Sequence, residues 1–213
     1  MEAPALDCAL CPRLVAFRDK NAAKFPDWHN APVASFGDAD ATLLIVGLAP
    51  GLRGANRTGR PFTGDWAGQL LYPTLLKFGL ATGLYDECSD DGLRLVNARI
   101  TNAVRCVPPQ NKPTSDEAKA CRSFLVSEIT GMAKLQGILA LGLVAHNAVL
   151  TTLEEKRAAF KFVHGAVHIL SNDLWLADSY HCSRYNTNTR RLTTEMFEDV
   201  VGAAAERANG LTG

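Results

Sequence analysis

The chain has 213 residues, 47% of them hydrophobic and 21% charged, which is the composition of an ordinary globular domain. Its 22 basic and 22 acidic residues balance, so no overall positive charge draws the chain to nucleic acid, and only a local basic patch remains open. No N-terminal apolar segment resembles a signal peptide and no apolar run is long enough to span a membrane, so we expect a cytoplasmic protein without a membrane partner.

Apolar runs alternate with amphipathic stretches along the chain. Each short apolar run is typical of a buried parallel strand, and each amphipathic stretch is typical of a helix that covers the sheet. The predicted strands span 42–47, 98–104, 137–141 and 174–180, and the predicted helices span 12–23, 65–79, 115–134, 143–157 and 192–206. We therefore predict one domain over residues 1–213 with an α/β fold, a three-layer α/β/α sandwich around a central, mainly parallel four-stranded sheet.

Local signals refine these boundaries. Asp65, Ser115 and Thr193 each precede a helical pattern, and each is a predicted N-cap because its side chain can accept a hydrogen bond from the first turn. The polar and acidic stretch 83–92 is predicted to be a surface loop.

Four of the six cysteines form a candidate metal site. Cys8 and Cys11 make a CxxC pair ahead of the first helix, while Cys106 directly follows a strand and Cys121 lies in the next helix. If that helix folds back, the four thiolates reach one tetrahedral zinc ion or one iron–sulfur cluster. The residues alone leave a plainer alternative open, that these cysteines are small buried apolar side chains.

A glycine-rich segment joins the first predicted strand to the helix that starts near Asp65. It contains the motif GLAPG at 47–51 and the motif GRPFTGD at 59–65. In an α/β sheet such a loop lies at the carboxyl edge of the strands, where ligands bind, and glycine lets the backbone approach a ligand closely. The segment has neither the dinucleotide fingerprint nor the closing Gly-Lys-Ser/Thr of a P-loop. It predicts a nucleotide-sized pocket of another kind.

The last predicted strand is followed by a polar motif that begins at His181. This position places the imidazole at the same sheet edge as the glycine-rich segment. Between Ser183 and Arg191 the chain carries three arginines and no acidic residue, together with asparagine and threonine, a mixture typical of phosphate contacts. A solvated loop leading into the helix capped by Thr193 is the alternative.

These motifs, in this order, resemble the uracil-DNA glycosylase superfamily, and most closely its family 5, the type B enzymes with an iron–sulfur cluster. The resemblance spans nearly the whole chain and is carried by the CxxC pair, the glycine-rich segment, the motif ITNAVRC at 100–106 and the motif from His181. It implies a 4Fe-4S cluster, structural in this family, that ties the N-terminus to the core. The implied ligands are Cys8, Cys11, Cys106 and Cys121.

The resemblance also implies roles for single residues. Family 4 carries an acid at the position of Ala49, whose methyl group cannot activate water, so Asp65 becomes the catalytic carboxylate. His181 becomes the donor to O2 of the leaving base. The candidate base-binding residues are Gly47, Ala49, Gly51, Phe62 and Asn102. Phe62 is placed to stack on the base, with a core phenylalanine as the alternative. Asn102 can pair with the edge of the base, with an amide that satisfies the loop backbone as the alternative. The candidate DNA-binding residues, for phosphate contacts or for a wedge that fills the vacated stack, are Asn56, Arg57, Arg60, Ser183, Arg184, Asn186 and Arg191.

Two residues depart from the family pattern. Cys182 stands where proline often follows the motif histidine, and Arg190 stands where glycine often precedes the second arginine. Neither change removes a group with a chemical task, so both bear on DNA binding and substrate range. The remaining histidines are assigned to the surface or to packing: His29, His146, His164 and His168.

The function implied is a monofunctional DNA glycosylase of base excision repair. It flips and excises uracil, and also other deaminated bases such as hypoxanthine and xanthine, and leaves an abasic site. The expected partner is double-stranded DNA, with single-stranded DNA as a second substrate, and the expected form is a monomer near the nucleoid. The alternative is a protein of the same fold that binds uracil-containing or abasic DNA without cutting it. A nucleotide or sugar-phosphate enzyme is disfavoured, because the glycine-rich segment offers no lysine.

Overall fold

The computed structural model describes residues 1–210, which form a six-stranded sheet, a two-stranded hairpin and seven α-helices. The strands are β1 (Phe36–Gly37), β2 (Leu43–Gly47), β3 (Ala81–Thr82), β4 (Arg94–Leu95), β5 (Ala98–Asn102), β6 (Gly137–Leu141), β7 (Val167–Ile169) and β8 (Trp175–Ser179). The helices are α1 (Pro12–Lys24), α2 (Ala55–Thr58), α3 (Trp66–Lys77), α4 (Ser115–Gly131), α5 (Leu143–Thr152), α6 (Arg184–Asn188) and α7 (Thr194–Ala208). None of the helices in this part of the chain is long and apolar enough to cross a membrane.

The large sheet has the strand order β1-β5-β2-β6-β8-β7. Its four central strands pair in parallel and lie within the four predicted spans. The edge strands β1 and β7 pair antiparallel with β5 and β8, so the sheet has two strands more than predicted. These edge strands have two and three residues, too few to produce a recognisable apolar run. The predicted α/β fold with a mainly parallel sheet is confirmed.

Two apolar cores lie on opposite faces of this sheet. Along β2, Leu43 and Ile45 pack into the core that α3 and α7 cover, while Leu44 and Val46 pack into the core that α4 and α5 cover. Successive side chains of a strand point to opposite faces, so a central strand that is covered on both sides must be apolar throughout. The continuous apolar run therefore produces the three layers.

Two of the three predicted N-caps are confirmed. Asp65 caps α3, and Thr193 accepts a hydrogen bond from the backbone of the first turn of α7. The prediction for Ser115 is wrong by one residue: Thr114 caps α4 and forms a capping box with Glu117. The box requires Glu or Gln three residues after the cap, and that spacing runs from Thr114.

Arg60, predicted to contact DNA, is instead buried in an ion pair. Its side chain is 4% exposed and donates hydrogen bonds of 2.8 and 2.7 Å to the two carboxylate oxygens of Asp91. Asp91 belongs to the stretch 83–92, and its side chain is fully buried although the stretch was predicted to lie at the surface. This arrangement contradicts a phosphate contact by Arg60. The ion pair holds the acidic stretch against the core.

We expect Arg60→Met to destabilise the protein by about 3 kcal/mol, because it leaves the Asp91 carboxylate buried without a partner. Arg60 holds the pKa of Asp91 well below its usual range. The contribution of the ion pair to the free energy of unfolding is therefore present at neutral pH, and it is lost as the pH falls through that lowered pKa. Denaturant unfolding at neutral pH measures the difference. Arg53→Met, at an exposed arginine nearby, is the control and should change stability by less than about 0.5 kcal/mol. Equal stabilities of the two variants would contradict the structural role of Arg60.

Candidate active site

A cavity opens at the carboxyl ends of β2, β5 and β8. Its volume is about 590 Å³, within the range of small-ligand sites. The glycine-rich segment, the start of α3 and the motif from His181 all border it, although they are far apart in the chain. The predicted catalytic and base-binding residues that line the cavity are Ala49, Gly51, Phe62, Asp65, Asn102 and His181.

Asp65 has one carboxylate oxygen engaged and one oxygen open. Oδ1 accepts the backbone N–H groups of Ala67 at 3.1 Å and Gly68 at 3.2 Å, which caps α3. Oδ2 lies against the glycine-rich segment, where an added Cβ on Gly51 or Gly54 would come within 2.6 or 2.2 Å of it. Burial raises the pKa of Asp65, which makes its carboxylate a stronger base than an exposed one. Capping the helix and facing the cavity are therefore compatible.

His181 follows β8 and reaches the cavity as a neutral imidazole. The side-chain amide of Asn186 donates a hydrogen bond of 2.8 Å to the carbonyl oxygen of His181, which holds the backbone in place. Burial lowers the pKa of His181 to about 4, so the ring is uncharged at neutral pH. Its buried Nδ1 atom has no hydrogen-bond partner within residues 1–210.

Asn102 ends β5 and is almost fully buried beside the cavity. Its Oδ1 atom likewise lacks a hydrogen-bond partner in the described part of the chain. Gly47 makes this position possible, because an added Cβ there would come within 2.4 Å of both Asn102 Oδ1 and the ring of Phe62. Phe62 has a φ of 54°, in the left-handed region, and its ring centroid lies 6.0 Å from that of His181. Such strain in a bulky residue is typical of functional sites.

Three of the predicted DNA-binding residues are exposed arginines. Arg57, Arg184 and Arg191 are all exposed, and the last two line the mouth of the cavity. The guanidinium of Arg184 lies 5.6 Å from the ring centroid of Trp66, and that of Arg191 lies 4.6 Å from the ring centroid of Tyr180. Stacking on aromatic rings orients these cations at the surface.

The other predicted DNA-binding residues make contacts inside the protein. Ser183 caps α6, and Asn186 binds the carbonyl oxygen of His181, although both also border the cavity. Asn56 is fully buried and donates a hydrogen bond of 3.0 Å to Asn30 Oδ1. That burial contradicts the predicted contact of Asn56 with DNA.

The two departures from the family pattern have different surroundings. Cys182 is fully buried and packs into the core that α3 and α7 cover. Arg190 is exposed and has a φ of 56°, a conformation that glycine adopts without strain. The backbone therefore explains why glycine suits this position, and Arg190 adopts the same bend.

The four predicted metal-binding cysteines come together at one place. Cys106 and Cys121 are buried, and Cys8 and Cys11 pack against them beside α1. Within residues 1–210, one group of three potential ligand atoms lies within 4.8 Å of one another, and it contains none of these cysteines. No three of the cysteine sulfurs are therefore that close together. One tetrahedral zinc ion with bonds of about 2.3 Å would hold its sulfurs ~3.8 Å apart. The four sulfurs are therefore not arranged as the ligands of a single bound zinc ion.

Two hydrogen-bond donors point at these sulfurs. Arg18, which is 6% exposed, donates to Cys106 Sγ at 3.6 Å and to the carbonyl oxygen of Cys8 at 3.1 Å. The backbone N–H of Arg105 donates to Cys121 Sγ at 3.3 Å. A buried cation and N–H donors of this kind stabilise negatively charged sulfur. Sequence analysis missed Arg18, whose position two helical turns after the CxxC pair was the available signal.

Sequence analysis also missed the outer part of the cavity. Phe162 lines it from the segment between α5 and β7, and Tyr180 lines it from the segment after β8. Asn111 lines it from the loop after β5, where both Gln110 and Asn111 have left-handed φ values, of 56° and 55°. Two successive residues with left-handed φ values are unusual, and they make a sharp turn. The two prolines before them, Pro108 and Pro109, do not predict this turn.

The fold and this cavity define a class of protein, an α/β enzyme with a base-sized site that combines a carboxylate, a neutral imidazole and an amide below two exposed arginines. The sequence profile of the Uracil DNA glycosylase superfamily matches residues 34–205. The chain is 44% identical over 209 residues to the type-5 uracil-DNA glycosylase of Thermus thermophilus, and the aligned residues cover 96% of this chain and 94% of that protein.

Two further relatives support the same conclusion. The chain is 40% identical over 210 residues to the type-5 uracil-DNA glycosylase of Pyrobaculum aerophilum, covering 97% of this chain and 91% of the relative. It is 32% identical over 168 residues to a type-4 uracil-DNA glycosylase of the same organism, covering 76% of this chain and 78% of the relative. The chain belongs to the uracil-DNA glycosylase superfamily and, within it, to the type-5 enzymes, as the sequence motifs predicted.

Proposed function

We propose that the protein is a monofunctional glycosylase that flips uracil out of DNA, hydrolyses its N-glycosidic bond and leaves an abasic site. One observation carries this proposal: two buried polar atoms, Asn102 Oδ1 and His181 Nδ1, lack partners within residues 1–210, and both residues line the cavity that holds Asp65. Buried polar atoms nearly always have a partner, so these two are expected to find theirs on a ligand. A flipped base supplies both.

Phe62 and Asn102 provide the recognition of the base in this proposal. The aromatic ring stacks on the face of the flipped base, an interaction that tolerates any base. The side-chain amide of Asn102 offers an acceptor and a donor, which match N3–H and O4 of uracil. In this orientation the amide discriminates against cytosine, which presents a donor where uracil has O4.

His181 and Asp65 provide the chemistry. As the bond between C1′ and the base breaks, its electron pair moves to the base and negative charge develops on O2. The neutral imidazole of His181 donates a hydrogen bond to O2, and a preorganised donor of this kind contributes ~3–4 kcal/mol. The sugar becomes an oxocarbenium-like cation, which the carboxylate of Asp65 stabilises. Asp65 then accepts the proton of the attacking water, whose oxygen completes the abasic sugar.

The substrate range is proposed to include hypoxanthine and xanthine. The cavity of about 590 Å³ is open at its mouth, and Ala49 contributes only a methyl group to its lining, which leaves room for a two-ring base. Arg57, Arg184 and Arg191 are proposed to contact the phosphates of double-stranded DNA, with single strands as a second substrate. We propose that the enzyme acts as a monomer.

The four clustered cysteines are proposed to hold a 4Fe-4S cluster. When bound, the cluster supplies a structural cross-link between the N-terminal segment and the segment that joins β5 to α4. Burial raises the pKa values of the Cys106 and Cys121 thiols, so binding displaces protons that these sulfurs otherwise keep. The group lies outside the cavity, and the residues of the cavity carry the reaction.

Single-turnover release of base tests the proposed function. Duplexes carrying one uracil or one hypoxanthine should both give strand breaks that appear only after alkali, and an unmodified duplex should give none. Breaks before alkali would show lyase activity and contradict a monofunctional enzyme. Tight binding of the uracil duplex by iron-loaded protein, without any abasic product, would support the alternative of a binding protein without catalysis.

A further inference from the structure

A buried cluster of ionisable side chains lies beside the cavity and takes no part in the mechanism above. Asp178, in β8, and His146, in α5, have side chains that are 0% and 1% exposed. His146 Nδ1 lies 2.7 Å from Asp178 Oδ1, and His168 Nε2, from the neighbouring strand β7, lies 3.0 Å from Asp178 Oδ2. Sequence analysis assigned both histidines to the surface or to packing and did not single out Asp178.

Both ring nitrogens of His146 have a partner. Its Nε2 atom lies 3.0 Å from the carbonyl oxygen of Phe160, which can only accept, so Nε2 carries a proton. Its Nδ1 atom lies 2.7 Å from Asp178 Oδ1, and one proton shared between the two atoms satisfies both. His168 Nε2 lies 3.0 Å from the second carboxylate oxygen, so every polar atom of the cluster that faces Asp178 is paired.

The cluster anchors the segment 160–165 to β8. His146 holds the carbonyl oxygen of Phe160, and the backbone N–H of Val163 donates to Asp178 Oδ2 at 3.4 Å. The backbone N–H of Gly165 donates to the carbonyl oxygen of Asp178 at 2.8 Å. A buried, fully paired network of this kind is satisfied in one arrangement only, so it fixes the segment more uniquely than apolar packing alone.

This anchored segment carries one wall of the cavity. The ring of Phe162 packs edge-on against His146, with centroids 5.6 Å apart, and lies 6.0 Å from the ring of Tyr180. His164 stacks on the other part of the wall, 4.8 Å from Tyr180. Phe162 and Tyr180, called here the aromatic wall, both line the cavity.

We propose that His146, Asp178 and His168 are positioning residues that hold the aromatic wall in place, and that this wall determines how tightly the enzyme holds a flipped base. The inference rests on the proposed glycosylase function and adds a source of affinity to it. None of the three polar residues lines the cavity, so they act on the base through Phe162 and Tyr180. Aromatic rings bind a base by stacking and apolar contact. Their displacement weakens the bound state and leaves the bond-breaking groups in place.

Substitutions of His168 test the proposal, because this residue lies on an edge strand and is partly exposed. His168→Leu removes the donor to Asp178 and should raise the half-saturating concentration in single-turnover uracil excision about tenfold. The rate constant at saturation should change less than about threefold, since the reacting groups stay in place. His168→Gln keeps an N–H donor at the position of Nε2 and should restore the parent affinity. Val167→Thr, on the opposite face of β7, is the control and should behave as the parent.

A second measurement reads the cluster without using activity. Nitrogen NMR of histidine-labelled full-length protein should show that His146 Nε2 carries a proton and donates it to the carbonyl oxygen of Phe160. An Nε2 atom without a proton would overturn this anchor of the segment 160–165, and equal losses of affinity and of saturated rate in His168→Leu would overturn the positioning role. A parent protein that binds one zinc ion, together with a His168→Leu variant that has lost it, would also overturn the positioning role. The three side chains would then be metal ligands. An inactive parent in which His146 Nε2 carries its proton would refute the glycosylase function on which the affinity claim depends.

Discussion

Asp65→Asn is expected to slow single-turnover excision of uracil by about a thousandfold, within the range measured for positioned general bases. The amide has nearly the same shape as the carboxylate, but it cannot accept the proton of the attacking water or stabilise a cationic sugar. Asparagine caps helices as well as aspartate does, so α3 should remain intact. Saturating enzyme and a duplex with one uracil measure the rate, and thermal unfolding verifies the cap.

The pH dependence of the parent provides an independent check on Asp65. The reaction needs this carboxylate ionised, so the rate should fall as the pH drops through its pKa. Burial raises that pKa above the ordinary value of 3.8, so the acid limb should lie above this value and should disappear from the residual rate of Asp65→Asn. Asp90→Asn, at an exposed acid, is the matched control and should keep both rate and profile. A rate for Asp65→Asn within a few-fold of the parent would sink the proposed mechanism.

Cys121→Ser is expected to lose most of the bound iron and to detach the N-terminal segment from the core. Structural metal sites contribute about 10 kcal/mol to folding, so Cys121→Ser should lower the free energy of unfolding by more than any surface substitution in this chain. Cys121 lies in α4 and Cys8 lies ahead of α1, so the bound group links two distant parts of the sequence. Iron and sulfide analysis, together with limited proteolysis of residues 1–24, measures both effects.

Cys88→Ser is the matched control for this cysteine substitution. Cys88 lies in the 83–92 stretch and is absent from the group formed by the other four cysteines. The variant should keep the iron content, the visible absorbance and the protease resistance of the parent. Equal loss of iron in both variants, or zinc in place of iron in the parent, would contradict the proposed 4Fe-4S cluster.

The elements of the sheet that carry the site were predictable because each has a strong local signal. The four parallel strands are continuous apolar runs, and the GLAPG loop, Asp65 and His181 follow or face their carboxyl ends. These features depend on neighbouring residues alone. Ala49 was informative for another reason, because the resemblance to the family implies an acid at this position in family 4.

The burial of polar residues was not predictable in the same way. Arg60 and Asp91 are 31 residues apart, and nothing near either one shows that the two side chains meet inside the protein. A polar motif at a sheet edge predicts phosphate contacts for its arginine. The motif alone does not show whether that arginine points to solvent or to the core. The error for Asn56 has the same origin.

The sequence by itself determined the three layers and the family, because these follow from short-range patterns and from motifs in a fixed order. The four cysteines proposed as ligands and the two residues proposed for catalysis came from the resemblance to that family. Only the tertiary structure decided which arginines are exposed, that Arg18 faces the cysteine sulfurs, and that His146, His168 and Asp178 meet behind the aromatic wall. The physical reason is that burial and pairing are properties of contacts between distant segments. The partner of a buried polar side chain is therefore known only from the folded structure.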